Sequence, residues 1–287
     1  MPQASASAID TAAIRLRDAA RIELAEARAW ADLYAAAPPT FAASAGVTSR
    51  WVGATLVLEW AASGRRYFSR TIGLGVAEPA TAQGLEQILR LYRDAGISMF
   101  LVQSLPHCRP AGFEDRLREH GLEAFDSQDR IVRDGAPSPS PPSLDARGLA
   151  VERVERERAE EWSEFLQRTY RLDTGPWLGR LIGRPGWHQY VAREDGRIVA
   201  ARAMYIGTDA TAWLGMDGPV PGLGTQDYEP DAAICARIVG DGLALGVRRF
   251  IADIEAPSAE LDTPAYEHFG KLGFKRPYVR THFARPR

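Results

Sequence analysis

Apolar residues recur along this chain at two spacings, one helical and one alternating, and the two take turns. From about Ala8 to Ala37 the residues are rich in Ala, Leu, Arg and Glu and stop at Pro38-Pro39, which predicts one or two helices. Two strands are expected next, Trp51 to Trp60 and Arg66 to Ile72, with a turn at Ser63-Gly64 between them. Leu85, Ile88, Leu89 and Tyr92 then share one helical face that ends at Gly96. An apolar strand from Ile97 to Val102, a proline-bounded loop and a helix closed by Gly121-Leu122 complete this stretch.

Gly135 to Pro142 carries four prolines and almost no apolar side chain, so it can neither pair in a sheet nor bury itself. The expected division is therefore a domain over 1–134, a Pro/Ser-rich linker over 135–146 and a second domain over 147–287. Beyond the linker the order restarts. Leu149 to Val154 reads as a strand, and Trp162, Phe165, Leu166 and Thr169 follow at helical spacing. Tyr190 to Arg193 and Ile198 to Ile206 flank Asp195-Gly196, a dipeptide suited to the positive φ angles of a tight hairpin. A strand from Thr211 to Met216 precedes a helix marked by Ile234, Ile238 and Leu245 and ending at Gly246; a strand from Phe250 to Ile254, a loop with Pro257 and Pro264, and a helix ending at Gly273-Phe274 follow. The interval from Gly96 to Gly121 is 25 residues and that from Gly246 to Gly273 is 27, which predicts an internal duplication.

Composition narrows the function classes. With 45% hydrophobic and 25% charged residues over 287 positions, the chain can build a sizeable core and is not a disordered one. Its 35 basic and 37 acidic residues leave a net charge of −2, so no broad cationic field points to nucleic acid or to anionic lipid. No basic leader followed by an apolar core, and no run of ~18 apolar residues, is found, so neither export nor membrane insertion is expected. Cys108 and Cys235 lie in no CxxC or Cys/His spacing; no metal site or disulfide is expected, and a reducing cytoplasm fits.

The order strand, helix, strand, helix, Gly-Phe resembles the surroundings of the acyl-CoA site in the GNAT acyltransferase superfamily, and Tyr266 to Phe274 resembles that family's C-terminal helix. More narrowly, Phe68 to Val76 with Pro79-Ala80-Thr81, and the closing Tyr266 to Arg280, resemble a bacterial group of tandem GNAT proteins. The resemblance implies an α/β fold of two tandem GNAT-like domains, each a mixed, mostly antiparallel sheet flanked by helices. It also implies acetyl-CoA or another acyl-CoA as co-substrate, a small-molecule amine as acceptor, and a monomer or homodimer. The C-terminal domain would carry the site, with Leu214, Met216, Gln226 and Tyr228 against the acyl-CoA and the N-terminal domain a non-catalytic partner.

Two departures from the family pattern stand out. The family's phosphate loop, Arg/Gln-x-x-Gly-x-Gly/Ala before a helix, lets backbone N–H groups and the helix's positive end cradle a diphosphate. The corresponding stretch here, Thr225 to Asp231, has lost the glycines and arginines and brings Asp227, Glu229 and Asp231 instead, a degenerate loop. Many family members place a Tyr five residues before the Phe of Gly-Phe as general acid for the departing thiolate; that position is Phe269, and Tyr266, one turn earlier, is the candidate substitute.

Asp253 and Glu255 close the strand after the expected CoA helix, where a carboxylate can orient or deprotonate an amine; the plainer reading is that alternate strand residues face solvent. His268, His188 and His282 carry no partner pattern, and His268 reads as a satisfied surface or core histidine. Cys108 sits between His107 and Arg109, but sequence neighbours in an extended loop point apart, so a loop residue is favoured over a nucleophile. Trp177 and Trp187 fit core better than a substrate pocket, and Gly73-Leu74-Gly75 fits a strand end better than half a phosphate loop. Two readings stay open: an acyl-CoA-dependent N-acyltransferase, or a GNAT-like ligand-binding or scaffold protein that has lost acyl-CoA binding or re-uses the cleft for another reaction.

Overall fold

The computed structural model describes residues 14–136, 149–218, 228–255 and 265–286. They fall into two compact units: an N-terminal unit of residues 13–129 with 278–287, and a C-terminal unit of residues 130–277. The boundary lies inside two strands, and the chain's last ten residues belong to the unit formed by its first half. Residues 137–146 of the linker and residues 225–227 of the 225–231 loop lie outside the described residues.

The N-terminal unit begins with α1 (Leu16–Ala35), which buries Ile22, Trp30 and Leu33 on one face together with Glu23 and Glu26. Pro39 opens α2 (Pro39–Ala45), where a missing N–H costs nothing. Strands β1 (Val47–Val52) and β2 (Thr55–Trp60) form a hairpin in which Val52 pairs with Thr55. The turn is thus Gly53-Ala54, with Gly53 at φ +56°, and not the Ser63-Gly64 expected from sequence. Ser63 ends a 3-10 turn, Arg66–Phe68 forms another, and only Thr71–Ile72 remains as β3, paired with β2. Helix α3 (Ala82–Asp94) is capped by Thr81, whose side chain accepts the Gly84 N–H at 3.0 Å. Its buried face of Leu85, Ile88 and Tyr92 packs in a core with Phe100, Val102 and Leu117. Arg70 bridges Leu101 in parallel across α3, and β4 (Val102–Ser104), shorter than the expected strand, pairs antiparallel with the unit's share of β11 (Lys275–Ala284). Helix α4 (Phe113–Glu119) leads into β5 (Glu123–Asp134).

This unit is held by a buried charge cluster. Glu26 lies between the guanidinium groups of Arg70, at 3.1 Å, and Arg280, both fully buried. Arg70 also lies over the rings of Trp30 and Tyr67, and Tyr278 donates to Glu23 at 2.7 Å. Residues from α1, the segment after β2, and β11 meet here, so the cluster joins the beginning of the chain to its end.

In the C-terminal unit the strand order is β5-β10-β9-β8-β7-β6, from β6 (Ala150–Arg153), β7 (Trp187–Glu194), β8 (Arg197–Ile206), β9 (Thr211–Gly218) and β10 (Arg249–Glu255). The pairs β6–β7, β7–β8 and β8–β9 are antiparallel and β9–β10 is parallel, a mixed and mostly antiparallel sheet. Asp195 and Gly196, at φ +49° and +77°, make the hairpin turn between β7 and β8 as their sequence predicts. Helix α5 (Ala159–Tyr170) buries Trp162 and Leu166; α6 (Glu229–Ala244) joins β9 to β10 and packs Ile234, Ile238 and Val239 into the core with Phe250 and Phe274. Leu245 falls just past α6 and is exposed, so it does not extend the apolar face. Helix α7 (Ala265–Lys271) precedes β11.

The four matched helix ends share one geometry. Gly96, Gly121, Gly246 and Gly273 all have φ between +69° and +84°, and in each case the following N–H reaches back five residues: Ile97 to Tyr92, Leu122 to Leu117, Val247 to Gly242 and Phe274 to Phe269. Only a residue without a Cβ takes this left-handed cap at no steric cost, which is why the glycines marked the helix ends in the sequence. No helix among the described residues is long and apolar enough to cross a membrane.

Candidate functional site

The parallel pair β9–β10 is joined only at its start. Thr211, Ala212 and Trp213 pair with Arg249, Phe250 and Ile251, yet β9 continues to Gly218 and β10 to Glu255. Past Trp213 and Ile251 the β9–β10 ladder ends among the described residues, toward the carboxyl ends of the strands, the place where open α/β sheets bind ligands.

The cause is legible in β9. On its other edge Ala203 pairs with Gly215 and Ala201 with Gly218, so Met216 and Asp217 together oppose Arg202. This is a bulge, and it bends the strand that carries it. Met216 adopts φ +53°, a left-handed conformation uncommon for a side chain of its size. Gly215 permits the bend: a Cβ there would lie 2.1 Å from the Trp213 ring. Leu214, by contrast, is buried in the unit's core, and Met216 is also covered.

Helix α5 supports β9, and the other expected residues lie on β10 and α7. Tyr170, the last residue of α5, donates its hydroxyl to the Asp217 carbonyl at 2.6 Å and so braces the bulge. On β10, Asp253 faces the fully buried Arg130 at 3.1 Å, while Glu255 at the strand's end is exposed. Tyr266 on α7 is half-buried and packs against the core; Phe269 is buried against Phe274 and presents no hydroxyl.

At the start of α6 a carboxylate stands where an external anion would bind. Asp231, in the first turn, accepts two hydrogen bonds from Arg202, Nε to Oδ1 at 2.8 Å and Nη2 to Oδ2 at 3.0 Å. Asp217 lies 3.6 Å from the same guanidinium. Burial alone pushes the Asp231 carboxyl up, but the charge and hydrogen bonds of Arg202 outweigh it and hold the group below its usual range. Cys235, one turn along α6, is buried and its thiol is pushed well up by desolvation.

Of the expected residues, Met216 lies in the β9 bulge, Glu255 at the exposed end of β10 and Tyr266, half-buried, on α7. Asp253 is engaged with Arg130 and Leu214 serves the core. Tyr228 is half-buried at the N-cap of α6, and Gln226 lies outside the described residues. Arg202, Arg130 and Tyr170 carried no sequence signal, because they come from β8, β5 and α5, far from the motif stretch.

Elsewhere, Trp177 and Trp187 fill core, as expected. Burial and the nearby Glu114 raise the Cys108 thiol to about 11, with Ser104 and Arg109 opposing. In the N-terminal unit, His282 is held between Asp126 at 2.5 Å and Gln103 at 3.0 Å.

No protein-family model and no curated protein matches the sequence. Solved structures do match the fold. A GCN5-related N-acetyltransferase from Kribbella flavida is 16% identical with a TM-score of 0.63, over 94% of this chain and 96% of its own. One from Sphaerobacter thermophilus is 15% identical with a TM-score of 0.52, over 80% and 79%. A tandem GNAT protein from the clavulanic acid biosynthesis pathway is 15% identical with a TM-score of 0.50, over 75% and 74%. The chain has the α/β fold of the GNAT proteins.

Proposed function

We propose that this protein is an acyl-CoA-dependent N-acyltransferase for a small-molecule amine, built as two tandem GNAT-like domains with the site in the C-terminal one. The observation that carries the reading is the bulge at Met216 with the end of the β9–β10 ladder: beyond Trp213, β9 has no ladder partner on its β10 side among the described residues, which suits its backbone to pairing with an extended ligand. An acyl-CoA with its thioester beside Met216 would have its carbonyl polarised by a backbone N–H of the bulge. The amine attacks the thioester carbon, the C–S bond breaks, and Glu255 takes the amine proton directly or through water. Tyr266 or water returns a proton to the thiolate.

The thioester end of such a ligand fits better than its diphosphate end. Among the described residues at the start of α6, Glu229 and Asp231 offer carboxylates, and Arg202 is spent on Asp231. Those residues and Phe269 favour the second reading, a GNAT-like protein that no longer binds acyl-CoA. Titration calorimetry with acetyl-CoA separates the two: saturable heat supports transfer, and no binding up to millimolar ligand removes it. Replacing residues 225–231 by a Gly/Arg-rich loop adds a second arm, since a gain of CoA affinity from none favours the retired site.

A further inference from the structure

We infer that Asp231, Cys235 and His268 form a binding site for a zinc-like divalent metal ion that ties α7 to α6. This inference stands on geometry separate from the acyl-transfer reading and does not need it. Asp231 and Cys235 are four residues apart on α6 and so share a face, and His268 reaches the same point from α7. One ligand atom from each lies within 4.8 Å of the other two; Asp231 Oδ2 is 3.6 Å from His268 Nε2 and 3.9 Å from Cys235 Sγ. Ligand bonds of about 2.0–2.3 Å in a tetrahedron put neighbouring donor atoms roughly 3.3–3.8 Å apart, so the two pairs through Asp231 already fit to within a few tenths of an ångström and Cys235 and His268 need to approach by about 1 Å at most.

The donor set selects the ion. A thiolate, an imidazole and a carboxylate suit zinc, whereas magnesium and calcium take oxygen ligands. Three protein ligands leave a fourth position for water. Asp231 can serve without abandoning Arg202, because Oδ1 keeps the Nε bond while Oδ2 turns to the metal. Arg202 then acts behind the ligand, fixing the carboxylate as partners of metal ligands do. The charges also close: the Cys235 thiolate, Asp231 and Asp217 balance Arg202 and a divalent ion. Binding would release the thiol proton of Cys235 to solvent.

The sequence carried no sign of this site because Cys235 and His268 belong to no short spacing and meet only when α7 packs beside α6. The test uses the full chain, stripped with a chelator and titrated with cobalt(II). One equivalent should bind with a thiolate-to-metal charge-transfer band and the visible bands of tetrahedral cobalt, and zinc should displace it. Cys235→Ser should abolish the charge-transfer band, and His268→Gln should weaken binding by at least the ~10–100-fold that losing a residue behind a ligand costs. Cys108→Ser should change nothing. Circular dichroism establishes that each variant is folded, and if Cys235→Ser is not, zinc protection of Cys235 from alkylation in the unmodified chain, followed in urea just sufficient to expose the buried thiol, takes its place. Absence of stoichiometric binding, a band that survives Cys235→Ser, or alkylation of Cys235 unaffected by zinc overturns the proposal and leaves the cluster an ion pair with Arg202 alone.

Discussion

Arg202 and Asp231 meet through two hydrogen bonds, at 2.8 and 3.0 Å, with the guanidinium almost wholly buried. Arg202 comes from the strand opposite the Met216 bulge and Asp231 from the first turn of the helix that follows it, so one pair links the bend in β9 to the start of α6.

Removing one member should be costly, because it strands the other. Asp231→Asn or Arg202→Leu is expected to lower unfolding free energy by about 3–5 kcal/mol in a denaturant titration. The pH dependence follows from the lowered carboxyl. Asp231 loses its proton more readily in the folded chain than in the unfolded one, so its contribution is complete above the unfolded value of about 3.9 and disappears as pH falls through the folded value. The wild-type protein should lose more stability than Asp231→Asn on acidification across that range; equal losses would show that the pair does not set it.

Glu26 offers the same test in the N-terminal unit. Glu26→Gln leaves Arg70 and Arg280 buried beside an uncharged amide, and a loss of about 3–5 kcal/mol is expected on urea unfolding. A loss below 1 kcal/mol would mean that solvent reaches the cluster.

Gly215→Ala should disturb the bulge directly. Its Cβ would sit 2.1 Å from the Trp213 ring, which must rotate or push the strand aside, at about 1–3 kcal/mol. Under the acyltransfer reading, kcat/KM should fall further than stability does, whereas unchanged acetyl-CoA binding would detach the bulge from the ligand.

The two carboxylates of β10 should separate by phenotype. Glu255→Gln is expected to reduce kcat by ~10²–10⁴-fold with little change in melting temperature, as loss of a general base does. Asp253→Asn should instead destabilise the fold, since Arg130 is buried beside it. The reverse pattern would exchange their roles.

Cys108 should be slow to alkylate at neutral pH. With its thiol raised to about 11, the thiolate fraction at pH 7 lies roughly 300-fold below that of a free cysteine near 8.5. Rapid modification of the native protein would remove the loop-residue reading.

Much of the fold was written in local pattern. Left-handed glycine caps, the Asp195-Gly196 turn and the apolar faces of α3 and α6 depend on a few neighbouring residues, so Gly96, Gly121, Gly246 and Gly273 marked their helix ends without help from the rest of the chain. The β1–β2 turn was missed because Gly53 lies inside an otherwise strand-like run and Gly64 offered an equally good local signal; the pairing of Val52 with Thr55 decides between them, and pairing is not local. The sequence was enough to place the expected residues Met216, Glu255 and Tyr266 on β9, β10 and α7. Three other features were not legible: Asp253 is committed to Arg130, the carboxylate at the head of α6 is neutralised by Arg202, and His268 stands beside Cys235. Each joins residues at least 29 positions apart, and only the packing of β8, α6, α7 and β10 into one core brings such groups within the few ångströms over which charge, hydrogen bonds and metal coordination act.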